Sequence, residues 1–441
     1  MIRRDPAKRV LIIGEVFVDH HLDQSRVRLG GLFHVARAMD ALGVDYAAAY
    51  VCPSYLNRDC ESFLSDLHAR KRTKIGDVIG APNVIEIGES GEAGSQGYDD
   101  LLRAQREIIW NVPALRELSS NYQPTDLFVL SGAITPDVLD SILHSDARLH
   151  VDLDHDSDGT WTSAAPYTAF CSTSGESFRQ CNRDPHALHQ HWSNAGASVV
   201  ILKENRGGSR VWIAKNSDGA IEAPSYPTDT DHSVGVGDCF DATWISALET
   251  ESPSSRLSAA SYVASIYAST FLHADFVRNV QTVMESLDEL RGLRGVRIPW
   301  ESRAAINVYL AAPDFPNIDT ESLNALEEAV QYHNFRPRRP VRENGLANSS
   351  MSTRQRRGLF YQDIELLESC DALIALPLTD DPGTFAELGW FANTGKPVIL
   401  FDPKKRIDNL FARNVVSRVC HSRTKVIDAL FELLGRASYV R

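Results

Sequence analysis

The chain has no run of apolar residues approaching the roughly 20 that a membrane-spanning helix needs, so no such helix is expected. Its seven cysteines form no Cys-x-x-Cys pair, and their odd number excludes a fully paired disulfide framework as well as an ordinary zinc site. A reducing cytoplasm is the expected setting. The one early apolar run, Val10 to Val18, is interrupted by Glu15 and lacks a small-residue cleavage site, which predicts a first strand and not a signal peptide. No Gly-x-x-x-x-Gly-Lys-Ser/Thr loop occurs, which excludes a Walker-type nucleotide site. Repeats and low-complexity tracts are absent. An excess of positive charge is missing too: 45 basic against 58 acidic side chains give a formal charge of -13, which argues against a nucleic-acid partner.

What is present fits a soluble protein of two domains. The length of 441 residues exceeds what one hydrophobic core usually organises, and the apolar fraction of 43% is ordinary. Residues 301–441 carry 18 basic and 18 acidic side chains, so the acidic excess lies in the first 300, with 27 and 40. Strand-like runs (VLIIGEVFV, YAAAYV, DLFVLSG, ARLHVDLD, SVVILKEN) alternate with helix-like ones, predicting α/β architecture with a mostly parallel sheet. A helix is expected from about His34 to Leu42, and the last helix of the first part through about residues 257–292. RGLRGVRIPWESRAA then reads as a linker. Beyond it come a strand INVYLAA, a helix around Glu321 to Tyr332, a strand ALIALPL, a helix ending at Gly395 and a strand PVILF. The segment HNFRPRRPVRENGLANSSMSTRQRRG, rich in Arg, Pro, Asn and Ser, is expected to be a long functional loop.

Two short runs carry chemistry. In His232-Ser-Val-Gly-Val-Gly-Asp238-Cys-Phe-Asp241, two glycines let backbone N–H groups approach an anion, and a helix start points its positive end at the same place. Asp238 is then placed to accept the proton of an attacking hydroxyl. The plain alternative is a helix entry capped by Asp238. Ahead of the second run, residues 380–401, the buried strand ALIALPL delivers Asp380 and Asp381 at its carboxyl end, where open α/β sheets bind ligands. Pro382, Gly383 and Thr384 start a helix with Glu387 in its first turns, where the helix dipole favours the ionised form by about 0.3–1 kcal/mol. Such a carboxylate can attack an anomeric carbon while a nearby acid protonates the departing base. Ordinary helix capping accounts for the same spacing.

The first run, with Phe240 and Ala242 after it, resembles the signature of the ribokinase-like (PfkB) carbohydrate and nucleoside kinases. Gly14, Glu15 and Asp19, the Gly30-Gly31 pair before an Ala-rich helix ending at Leu42-Gly43, and Ser131-Gly132 match in order, covering residues 10 to about 295. The resemblance implies a ribokinase-like α/β/α domain over residues 1–297. It implies that Asp19, Gly30 and Gly31 contact the acceptor's hydroxyls, with His34 standing where the family has asparagine. It further implies that Gly235, Val236 and Gly237 form the anion hole for the phosphates of ATP, and that Asp238 is the general base. The family's Asn-x-x-Glu magnesium motif appears as Thr173-Ser174-Gly175-Glu176, so Glu176 is the candidate for an indirect role with Mg2+. The glycine usual after the later strand is obscured in Leu202-Lys203-Glu204-Asn205.

The second run resembles the nucleoside 2-deoxyribosyltransferase family and its nucleotide N-hydrolase relatives. The matches are Tyr309-Leu310-Ala311 with Pro313 and Phe315; Pro340-x-Arg342-Glu343-Asn344-Gly345; Asp363 before Cys370-Asp371; and Asp381-Pro-Gly-Thr-Phe-Ala-Glu387 with Leu388-Gly389. They imply a smaller flavodoxin-like parallel-sheet domain over residues 298–441. Glu387 is the implied nucleophile, Asp381 the carboxylate that handles the nucleobase and Tyr309 the residue that orients Glu387, with Arg342, Glu343 and Asn344 on the substrate. Family sites are often completed by a neighbouring subunit, which implies a homo-oligomer.

Weaker signals have plainer readings. Asp154-His-Asp156-Ser-Asp158-Gly159 opens like a calcium loop, but Ala165 stands where a bidentate glutamate is required, leaving an acidic loop with Asp152 near the kinase phosphates. His186, His189 and His191 lack a partner to complete a zinc set and read as a solvated helix face. Arg354, Arg356 and Arg357 read first as solvating a loop, and otherwise, with Arg342, as holding a 5'-phosphate. The expectation is therefore a bifunctional cytoplasmic enzyme whose small-molecule substrate is a nucleoside, nucleotide or sugar. It phosphorylates a hydroxyl with ATP and Mg2+ and cleaves or transfers an N-glycosidic bond, without nucleic-acid or membrane partners. The rival is a ligand sensor whose kinase-like part binds without turnover.

Overall fold

The computed structural model describes residues 7–437 except 81, 96–97, 102–104, 140–141, 143–145, 155–160, 164, 214–218 and 286–294. The calcium-like stretch after Asp154 lies outside the described residues. Two compact units are present: residues 1–91 with 96–297, and residues 92–95 with 298–441.

The first unit is built on a sheet whose main path runs β13-β12-β11-β10-β9-β8-β1-β3-β4-β7. Its strands are β1 (Arg9–His21), β2 (Arg26–Gly31), β3 (Asp45–Cys52), β4 (Arg72–Ile79), β5 (Val84–Ile87), β6 (Tyr98–Asp100), β7 (Glu107–Trp110), β8 (Asp126–Leu130), β9 (Arg148–Asp152), β10 (Tyr167–Ser172), β11 (Ala197–Lys203), β12 (Ser209–Ile213) and β13 (Ile221–Ala223). The strands from β11 to β4 pair in parallel, and antiparallel strands close both edges. Continuous apolar runs such as Val10–Ile13 are completely buried, as a parallel sheet covered on both faces demands.

The 13-residue strand β1 does two jobs. Its first half lies between β3 and β8, and its second half, from Val16, leaves that partnership to pair antiparallel with β2 and parallel with β5. Asp19 is thereby carried past the carboxyl edge of the main sheet. Helix α1 (Leu32–Leu42) follows β2 directly and packs against helix α2 (Val236–Ser246), which begins at the glycine turn. The expected long helix at 257–292 is instead two, Pro253–Ala268 and His273–Glu285, broken where Ser269 and Thr270 turn the chain.

The second unit holds a five-stranded, wholly parallel sheet of β14 (Asn307–Ala311), β15 (Arg336–Arg338), β16 (Ala372–Ala375), β17 (Val398–Phe401) and β18 (Arg418–Cys420), ordered β15-β14-β16-β17-β18. Counted within the unit this is the order 2-1-3-4-5, the flavodoxin-like arrangement, whose ligand crevice opens between its first and third strands, here β14 and β16. One expectation is corrected. The supposed long loop contains β15, helix α3 (Pro340–Asn344) and the first turns of helix α4 (Thr353–Ser369), the last opened by a reciprocal capping box between Ser352 and Gln355. The boundary between the units, after Arg297, falls in the segment read as a linker; within its described residues Val296 bridges Ser225, and Trp300 begins a short helix whose Arg303 is fully buried. Among the described residues no helix is long and apolar enough to cross a membrane.

Candidate active sites

In the first unit the turn before α2 is shaped by two glycines with different tasks. Gly235 adopts φ +79°, the left-handed region that favours glycine, and a Cβ there would collide with the His34 ring. Gly237, already helical, would set a Cβ 3.3 Å from Lys203 Nζ. Val236 is the first residue of α2 and Asp238 lies in the first turn, 9% exposed.

His34 connects this turn to Asp19. Its Nε2 lies 2.9 Å from Asp19 Oδ2 and its Nδ1 lies 2.9 Å from the Tyr267 hydroxyl, so both ring nitrogens are engaged. All of His34 but 2% is buried. It therefore acts on Asp19 rather than reaching outward. Gly30 lies so close beneath the Asp19 carboxylate that any Cβ would overlap it. Gly31, at φ +57°, caps α1 against the carbonyl of Glu15. Arg28 donates from Nη2 to the carbonyl of Val234 over 3.0 Å, a second tie between β2 and the glycine turn.

Beside the turn, at the carboxyl ends of β9 and β11, lies a charged cluster with no motif behind it. Lys203 Nζ is 2.8 Å from Asp241 Oδ2 and 3.3 Å from Asp154 Oδ2. Burial works against a charge on Lys203, but Asp152, Asp241 and Asp154 outweigh it and hold the ammonium well above its usual range. Glu204 is fully buried and accepts from Arg210 at 2.5 Å and Arg297 at 3.1 Å. Glu176 pairs with Arg179 at 2.7 Å on the helix Glu176–Gln180. Among the described residues no group of three or more His, Cys, Asp or Glu is placed to hold a metal ion. Glu176 is thus engaged by Arg179, while the start of α2 offers its backbone N–H groups to an anion. His189 stacks on Trp212 at 5.1 Å and His186 meets Gln190 on the same helix, consistent with a helix face and not a metal set.

In the second unit the Tyr309 hydroxyl donates to Glu387 Oε1 over 2.8 Å. Tyr309 is fully buried in β14, and Glu387 is the sixth residue of helix α5 (Pro382–Ala392). The dipole argument fails here because the effect fades beyond the first turn. Burial instead pushes the Glu387 carboxyl up to about 7, Tyr309 opposes it, and the charges of Asp363 and Asp381 add to the rise. Asp381 is the N-cap of α5, accepting from the backbone N–H and hydroxyl of Thr384, both at 2.9 Å on Oδ2. The capping role and the electrostatic one coexist. Asn344 donates to Asp363 Oδ1 over 2.8 Å, linking α3 to the carboxylates around Glu387.

The other expected substrate contacts are engaged within the unit. Glu343 accepts from Arg338 at 2.6 Å, which holds its carboxyl below the usual range. Arg342 is paired with Glu327 at 2.6 Å and with Asn324 at 3.0 Å. Arg356 donates to the carbonyls of Asn348 and Ser349, and Arg357 to the Tyr361 hydroxyl. Arg354, Arg356 and Arg357 stand on the exposed start of α4.

Residues 308–416 match the family model described as nucleoside 2-deoxyribosyltransferase. No curated protein is similar to the chain in sequence. Solved structures similar to it include a fructokinase with bound ATP from Xylella fastidiosa, at 14% identity and TM-score 0.47, covering 64% of this chain and 99% of that one. A ribokinase from Giardia lamblia is similar at 15% identity and TM-score 0.46, covering 64% of this chain and 100% of that one. A putative ribokinase II in complex with ATP and Mg2+ from E. coli is similar at 14% identity and TM-score 0.42, covering 63% and 99%.

Proposed function

We propose that the chain is a bifunctional enzyme of nucleoside or sugar metabolism. The observation that carries the reading is the Tyr309–Glu387 hydrogen bond inside a segment matching the deoxyribosyltransferase family. A half-buried glutamate at about 7 is part ionised at neutral pH. Its carboxylate attacks the anomeric carbon of an N-glycoside, the bond to the base breaks, and a glycosyl ester on Glu387 results. Asp381 handles the departing base. Transfer of the glycosyl group to a second base, or to water, completes the turnover.

The first unit is read as an ATP-dependent kinase of a sugar or nucleoside hydroxyl. Asp19, held by His34 over Gly30, binds the acceptor; the Gly235–Gly237 turn and the start of α2 receive the donor's phosphates, accompanied by the nucleotide's own magnesium; Asp238 accepts the hydroxyl proton as the O–P bond forms. A cytoplasmic location and a homo-oligomeric state belong to this proposal as well.

The test is a screen of nucleosides, nucleoside 5'-monophosphates and free sugars, with and without Mg-ATP, read by mass detection of free base and of phosphorylated product. Wild type should yield both product classes, Glu387→Ala should lose free base alone, and Asp238→Asn should lose phosphorylation alone. Base release surviving in Glu387→Ala would refute the glycosidic assignment. ATP binding without phosphorylation of any acceptor would favour the sensor reading of the first unit.

A further inference from the structure

We propose that Lys203 is a fixed cation of the donor site, held against the first turn of α2 so that its ammonium assists the helix end in binding the donor's phosphates. The inference rests on the kinase reading of the first unit and adds to it a residue that no motif marks.

Four observations carry it. Lys203 closes β11 at the carboxyl edge of the parallel sheet, the edge at which open α/β sheets receive ligands. Its side chain is 9% exposed, and Nζ is fixed by Asp241 at 2.8 Å and Asp154 at 3.3 Å. The amine lies beside Gly237, where a Cβ would stand 3.3 Å from it, a tight contact that the absence of a side chain at this helical position avoids. Finally, the surroundings are acidic: Asp152 and Asp154 end or follow β9, and Asp238 and Asp241 share the first turns of α2. Acidic side chains thus surround the glycine turn, and Lys203 is a cation placed among them. The glycine turn is thus bounded by His34 at Gly235, on the acceptor side, and by Lys203 at Gly237, on the donor side.

Lys203 acts as a charge-positioning residue; proton acceptance stays with Asp238. The test is calorimetric titration of the full-length protein with ATP and magnesium, for wild type, Lys203→Met and Lys203→Arg, with thermal unfolding of each. Lys203→Met should weaken ATP by about tenfold or more, the size expected for loss of a charge-assisted contact. Lys203→Arg should recover much of the affinity because it restores the charge. Unchanged ATP affinity in a folded Lys203→Met protein overturns the inference and leaves a structural ion pair. If Lys203→Met does not fold, Lys203→Arg decides: affinity within twofold of wild type supports the inference, and a loss as large as tenfold overturns it. Failure of wild type to bind ATP at all would instead strike the kinase reading itself.

Discussion

The Tyr309 hydroxyl donates to Glu387 Oε1 across 2.8 Å, from the first strand of the second unit's sheet to the helix that follows the third. The bond opposes the burial that raises the Glu387 carboxyl to about 7. Tyr309→Phe keeps the ring's packing and removes the donor, so the carboxyl should rise further. Base release at pH 7 should fall about tenfold, the worth of one hydrogen bond to a charged group. The pH–rate profile should shift upward and lose part of the deficit at pH 9. An unshifted profile would mean that Tyr309 does not tune Glu387.

The raised carboxyl also links stability to pH. The folded protein holds the Glu387 proton from about pH 4.5 up to about 7, where the unfolded chain has already lost it. Stability from this group is therefore greatest at low pH and falls as pH rises through that window. Glu387→Gln carries no charge to bury, so its melting temperature relative to wild type should climb between pH 4.5 and 7 and level off above. A difference independent of pH would remove the burial argument.

At the glycine turn before α2, Gly235→Ala meets two obstacles, a left-handed backbone and the ring of His34. The backbone alone costs about 1–3 kcal/mol. His34→Ala relieves the collision but not the backbone strain, so in urea unfolding the double variant should lose less stability than the two single losses combined, by about 0.5–3 kcal/mol. Strict additivity would show that His34 and the turn are not in contact.

Asp238→Asn should bind ATP as wild type does and lose phosphoryl transfer by about 10²–10⁴-fold, because an amide cannot take the hydroxyl proton. Single-turnover kinetics with an acceptor found in the screen measure this. Retained transfer would assign the base elsewhere.

Much of this was legible from local pattern. The buried runs of β1, β14 and β16 and the helix Glu321–Tyr332 read directly, because apolar continuity and 3.6-residue periodicity are local properties. The first turns of α4, Thr353 to Gly358, read as loop because they are polar and bury nothing; the Ser352-x-x-Gln355 capping box was the available signal. Lys203 and Glu204 were opaque for another reason. Asp241 lies 38 residues from Lys203 and Arg297 lies 93 from Glu204, so their meaning depends on partners that only the fold assembles. His34 was recognised as a departure, but its bonds to Asp19 and Tyr267 could not be read from its neighbours in sequence. The capping and chemical readings of Asp381 also proved compatible, since the N-cap bonds use Oδ2 while the carboxylate's charge still acts on Glu387.

The most direct test of the central claim is rapid acid quench of the wild-type protein with each nucleoside or 5'-monophosphate that releases base, followed by peptide mass analysis. A glycosyl ester should appear on the peptide containing Glu387 before steady state and be absent in Glu387→Ala. Base release with an adduct on another residue, or in the same amount from Glu387→Ala, would contradict the account.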